Sequence, residues 1–343
     1  MKKLISIIST FILVLSLSAN EDMKALKLQH DNHSIKKFQT WKGWSNKSII
    51  KRIYAAPKNI VEYIAMDNKL YGYDDVPTPV ATINPNFKKD LISAIEELPN
   101  QIKKQLQTKL IGIFILSGLG STGFSEHIYK KNDYYGGLII LDQDVLLKLT
   151  ANEWATWRIN SAFKKVDDYA LSLKIEETSQ NTRKQAIQFI LLHEIAHIIG
   201  LSEKVHPKTY KGNPNLFPFS SLSWISFTNS IYDKSFKHRK DIKFYRFDKS
   251  TMSLKDSDKI ILNLINTDFC SLYASNNFFE DFAEAYTIYV HTILMKKPYS
   301  LKLQYNGKEI QSLENPFIMK KLHKKKKYFD NLFKFDKIKI KRL

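Results

Sequence analysis

Apolar residues recur along this chain in two periods, and the switches between them mark the elements. Residues 20–75 mix aromatic and polar side chains with neither period and no motif. The Pro-rich segment Val76–Pro85 (VPTPVATINP) predicts extended chain. Phe87, Leu91, Ile95 and Leu98 recur every three or four positions and predict a helix over Asn86–Leu98. Pro99 restarts a second, short helix through Leu106. Leu110–Leu116 (LIGIFIL) is short, β-branched and apolar, which predicts a buried strand. Gly137–Leu141 (GLIIL) predicts another, ended by Asp142. The glycines of Gly118–Gly123 (GLGSTG) suggest a phosphate loop, but the Gly-Lys-Ser/Thr ending is missing, which excludes one. Asn152–Phe163 reads as an amphipathic helix carrying Trp154 and Trp157.

The second half is more helical. Ile187, Ile190, Leu191, Ile195, Ile198 and Ile199 form a stripe that predicts a helix from Thr182 to Ile199, with Gly200 as its stop. Residues 201–270 read as loop, with short strands around Trp224 and at Ile242–Phe247. A further helix is predicted over Asn277–Leu294, a hairpin turn at Asn306-Gly307, and a basic helix opened by Asn315-Pro316. Strands precede helices, no repeat is present, and the fold class is α+β. The organisation that follows is a leader over 1–19, an N-terminal extension over 20–105 packed on a catalytic domain over 106–300, then the hairpin and basic helix over 301–343.

Composition narrows the function classes. The 343 residues are 43% hydrophobic and 25% charged, which suits a folded globule. One cysteine, Cys270, excludes a disulfide framework, an iron–sulfur cluster and a Cys-based zinc site. The net charge is +19, yet only 6 of the 53 basic residues are Arg, so a phosphate-gripping surface and nucleic-acid binding are not expected. The basic end of the chain leaves weak contact with anionic envelope surfaces open. Residues 1–20 (MKKLISIISTFILVLSLSAN) have a positive start, an apolar run too short for a span, and small residues where a signal peptidase cuts. This predicts a bacterial exported protein, periplasmic or secreted. An uncleaved N-terminal anchor is the alternative, and no later stretch reads as long and apolar enough to span.

The chemistry centres on His193-Glu194-Ile195-Ala196-His197. On a helix, positions i and i+4 share a face, so both imidazoles can reach one Zn²⁺ and Glu194 can take a proton from zinc-bound water. Chance gives this pattern in roughly 1% of chains of this composition. Catalytic zinc needs a third protein ligand. Glu280 and Glu284 lie at i and i+4 in an otherwise apolar helix (FEDFAEAY), so one carboxylate can bind the metal and the other can hold a ligand His in its tautomer. A rival scheme takes Glu203 or His206 as third ligand, with Gly200 three residues after His197 and a faint Met-turn at Met252.

This pattern resembles the gluzincin metallopeptidases. It is locally most similar to the lethal-factor-type group and its Pro-Pro endopeptidase relatives, in which a Tyr stands seven residues before the ligand Glu and Phe-Ala-Glu-Ala-aromatic follows. Here those residues are Tyr273, Glu280 and Phe282–Tyr286. The resemblance covers 193–197 and 273–286, and the spacer between them is longer than in that group. It implies one zinc per chain on His193, His197 and Glu280, with Glu284 behind them and Tyr273 stabilising the oxyanion. It also implies a mixed sheet over the active-site helix, a mainly helical C-terminal subdomain, and an edge strand that pairs with substrate. GLIIL is the candidate for that strand, or else an ordinary core strand. The implied function is hydrolysis of a peptide or protein. A zinc hydrolase of cell-wall peptides and a non-catalytic binding or toxin component are the alternatives.

Overall fold

The unbroken apolar runs of the two predicted strands demand cover on both faces, and they receive it. A computed structural model describes residues 21–340, with side chains to 334. The leader expected over 1–19 and the last three residues therefore lie outside the described residues. The chain opens with helix α1 (21–31), a series of short 3₁₀ turns, strand β1 (Ile53–Ala55), helix α2 (Lys58–Tyr71) and strand β2 (Thr78–Pro79). Helices α3 (Pro85–Glu96) and α4 (Asn100–Lys109) follow, then strands β3 (Leu110–Ser117), β4 (Gly123–Lys130) and β5 (Asp133–Asp142). The main sheet runs β1-β3-β5-β4, with β2 antiparallel on β3. β1, β3 and β5 are parallel, and β4 is antiparallel to β5. The sheet is mixed and the fold is α+β.

Alternate residues of the sheet feed two cores. Ile111, Phe114, Leu138 and Ile140 pack under the N-terminal segment with Ile35, Trp41, Ile60 and Tyr63. Ile113, Ile115, Ile139 and Leu141 face the helices, including α6 (Ala151–Asn160) and α7 (Arg183–Ser202). The single turn α5 (Gln143–Leu146) links β5 to α6. So residues 53–55, read from sequence as part of an extension, are a strand of the main sheet.

GLIIL is not at the edge. It lies in β5, between β3 and β4, and is fully buried. With β1 ending the order on the other side, the edge strand beside it is β4, which the sequence reading passed over. Its residues alternate: Phe124 and Ile128 face the N-terminal core, while Ser125 and His127 face the helices. Such mixed polarity marks a strand with one wet face.

Strand β6 (Tyr169–Lys174) precedes α7 and pairs with β7 (Ser300–Tyr305), which pairs with β8 (Lys308–Glu314) around Asn306-Gly307. Both turn residues are left-handed, as a two-residue hairpin requires. α7 continues through Gly200 to Ser202. Gly200 is there because a Cβ would stand 2.6 Å from His206 Nε2, and Glu203 caps the helix instead. By length and composition α7 could cross a membrane, contrary to the sequence reading, but 89% of its apolar window is buried inside the protein. Residues 203–277 form 3₁₀ turns around one helix, α8 (Ser257–Ile265), and the strands expected near Trp224 and Ile242 are absent among the described residues. Helix α9 (Phe278–Tyr289) runs into a π-helical turn, Val290–Leu294. The basic helix α10 (His323–Ile340) starts later than Asn315-Pro316, which opens a 3₁₀ turn.

Candidate metal centre

α7 and α9 pack side by side under the sheet and bring together residues far apart in sequence. His193 and His197 stand one turn apart on α7. Asn277 caps α9 by accepting from the N–H groups of Phe279 and Glu280, which fixes the first turn where Glu280 sits. The three donor atoms form a triangle. His193 Nε2 lies 3.2 Å from His197 Nε2 and 3.2 Å from Glu280 Oε2, and His197 Nε2 lies 3.5 Å from the same oxygen. Zinc bonds of about 2.0–2.1 Å put tetrahedral ligands about 3.3 Å apart. Glu280 Oε2 is buried and no N–H or O–H group is aligned to donate to it. Three lone-pair donors so close, with one of them orphaned, fit a divalent cation. Among the described residues they are the one His/Cys/Asp/Glu group placed to hold a metal.

The surroundings hold these ligands in place. His193 Nδ1 lies 3.0 Å from Glu284 Oε1, an ion-pair approach whose N–H is not lined up for a straight hydrogen bond. Glu284 also accepts from Arg158 at 2.9 Å and from Ser271 Oγ at 2.6 Å. Neither Arg158 nor Ser271 was found from sequence. Arg158 carries no motif, and its single sign was to be one of few arginines on a Trp-bearing helix. Burial alone would push the His193 imidazole down, but Glu280 and Glu284 outweigh it and raise it to about 9. The pocket therefore favours positive charge at its centre.

Two buried carboxylates part company here. Burial pushes Glu194 up, and the imidazoles only partly offset it. Burial would also push Glu280 up, but His197 and His193 hold it well below the usual range. Glu280 stays an anion, as a metal ligand would have to, while Glu194 is a stronger base than an exposed Glu. Environments that separate two carboxyl groups in this way separate their roles. Glu194 lies beneath the first residue of β4. A Cβ on Gly123 would stand 2.7 Å from Glu194 Oε1, so only glycine lets the strand pass this close.

Tyr273 enters a 3₁₀ turn just before α9. Its half-buried ring sits 5.6 Å from His193, edge to face, and 4.0 Å under the Arg158 guanidinium. It lines the same cleft as His193, Glu194, His197 and Glu280, a space of about 1120 Å³ walled by β4 and by residues of α1 and α2. The rival ligands do not join the triangle. Glu203 is exposed at the end of α7, and His206 is buried against Phe279 with Nδ1 on the Pro207 carbonyl at 2.8 Å. Met252 is a core residue bonded through its carbonyl to Lys164. Against known protein families, curated proteins and solved structures, the chain finds no match.

Proposed function

We propose that this chain is an exported zinc-dependent endopeptidase of gluzincin type, with a zincin-like catalytic unit. The observation that carries the reading is the His193–His197–Glu280 triangle with Glu194 beside it under an open sheet edge. A zinc ion held by the triangle would supply Lewis acidity to a scissile carbonyl and make water a usable nucleophile near neutral pH. Glu194 takes the proton from the attacking water and passes it to the leaving amine. β4 offers unpaired backbone groups along its outer edge, and an extended peptide can add there as a further strand. The chain itself touches that edge by a bridge from Lys37 to Tyr129, at the end away from Glu194. Tyr273 donates to the oxyanion that develops on the carbonyl. Glu284, anchored by Arg158 and Ser271, fixes His193.

Two measurements on purified protein test this. Elemental analysis should give one zinc per chain in the wild type and in Glu194→Gln, and strong loss in Glu280→Ala. Mass-spectrometric profiling of a peptide library should show cleavage by the wild type and a fall of about 10²–10⁴-fold in Glu194→Gln. Zinc retained in Glu280→Ala would return the site to the Glu203 or His206 scheme. Cleavage of purified peptidoglycan but no library peptide would move the substrate to the cell wall. A zinc-loaded chain that turns over neither would be a binding protein.

A further inference from the structure

Residues 203–277, the long connection between the two ligand helices, contribute one side chain to the cleft in a strained way. Tyr245 has φ +60°, and two residues later Phe247 has φ +47°. A left-handed backbone at a bulky aromatic residue is uncommon, and such strain gathers at functional sites. Here it is held from outside. Buried Ser161, at the end of α6, accepts three consecutive N–H groups: Tyr245 N on Oγ at 2.9 Å, then Arg246 N at 3.0 Å and Phe247 N at 2.8 Å on its carbonyl. The clamp aims the Tyr245 side chain into the cleft that holds Glu194 and Tyr273.

The phenol lies against the Arg158 guanidinium and the Thr122 hydroxyl, beside the start of β4. Arg158 has donors and no acceptor, so toward Tyr245 it can only give a hydrogen bond to the phenol oxygen. The Thr122 hydroxyl can turn to donate as well, so the phenol proton can point into the cleft; burial raises the phenol, and the Arg158 charge partly offsets that. Arg158 also stacks over Tyr273, so one cation serves two phenols in one cleft. We propose that Tyr245 is a second oxyanion donor, acting with Tyr273 on the same developing charge. The proposal rests on the peptidase reading above and gives the long connection a catalytic purpose. A purely structural Tyr245 would pack its ring on Trp157, 5.9 Å away, and would need no hydroxyl.

The test uses the zinc-loaded full chain and a quenched fluorescent peptide chosen because the wild type cleaves it. Tyr245→Phe removes one oxygen and keeps the ring. We expect kcat to fall by about 10²-fold, with KM within twofold and zinc content and melting temperature unchanged. A phosphinic analogue of that peptide, which mimics the tetrahedral anion, should lose affinity by a similar factor, whereas an uncleaved peptide of related sequence should not. Adding Tyr273→Phe should deepen the loss beyond either single change. Wild-type kcat in Tyr245→Phe, or a loss confined to KM, overturns the proposal and leaves the peptidase reading standing. A zinc-loaded wild type that cleaves no peptide overturns both.

Discussion

Single atoms decide the geometry around Glu194. A Cβ on Gly123 would stand 2.7 Å from the Glu194 carboxylate and 2.9 Å from Ile190 Cγ2. Gly123→Ala must therefore push the strand or the carboxylate aside. Displacing a catalytic base by about 1 Å can cost 10²-fold in rate. We expect Gly123→Ala to bind zinc normally and to lose kcat by about that factor, as read by metal analysis beside steady-state kinetics. An unchanged kcat would mean that β4 can retreat without disturbing Glu194. Little in the residue pattern warns of this contact. Gly123 reads as the last glycine of a loop, and what makes it necessary is a neighbour 71 positions further along the chain.

At the scale of elements, α10 is a clamp on α9. Lys325 is fully buried and donates to both oxygens of Asp281 at 2.7 and 2.8 Å, with Asp268 at 3.4 Å. Trp224 Nε1 adds a bond to Asp281 at 2.9 Å. Asp281 directly follows Glu280, the proposed third ligand, so this cluster sets where α9 sits. Lys325→Met would strand two buried carboxylates and should cost about 3–5 kcal/mol in urea unfolding. Lys325→Met combined with Asp281→Asn should recover much of that loss; no recovery would show that Lys325 acts through packing alone. Periodicity made α7 and α9 legible, because both are apolar helices interrupted by a few polar residues at helical spacing. It could not show that the lysine-rich α10 turns Lys325 inward and buries Phe329 and Phe333 as well. β4 escaped notice for the opposite reason: its polar face looks like loop until the cleft it lines is seen. The helix α8 and the 3₁₀ turns of 203–277 were hidden because tertiary contacts, not local periodicity, shape them.

Across the whole molecule, buried neutral histidines pull stability down in acid, against His193 and Asp281, whose raised values pull the other way. Burial pushes His206 down to about 3 and His291 down to about 4. Both would ionise near 6.5 in the unfolded chain. As pH falls below 6.5, the unfolded state takes up protons that the folded state refuses, so stability falls with pH until the folded values are reached. Two such groups give a slope of up to about 2.7 kcal/mol per pH unit. Between pH 7 and pH 5 these two groups should contribute a loss of roughly 3–4 kcal/mol in urea unfolding, and His206→Gln should shrink the measured pH dependence by about half of that. Equal stability at both values would mean that other groups compensate. The wide sequence separation of the proposed ligands has a consequence for how the protein is made. His193 and His197 precede Glu280 by more than 80 residues, and the clamp at Lys325 comes later still. A growing chain that has reached only α7 offers a metal two imidazoles and no anion to complete the set. On the proposed reading, tight metal capture would have to wait until α9 has been synthesised and docked, so an ion would be acquired late, in whichever compartment the finished chain folds.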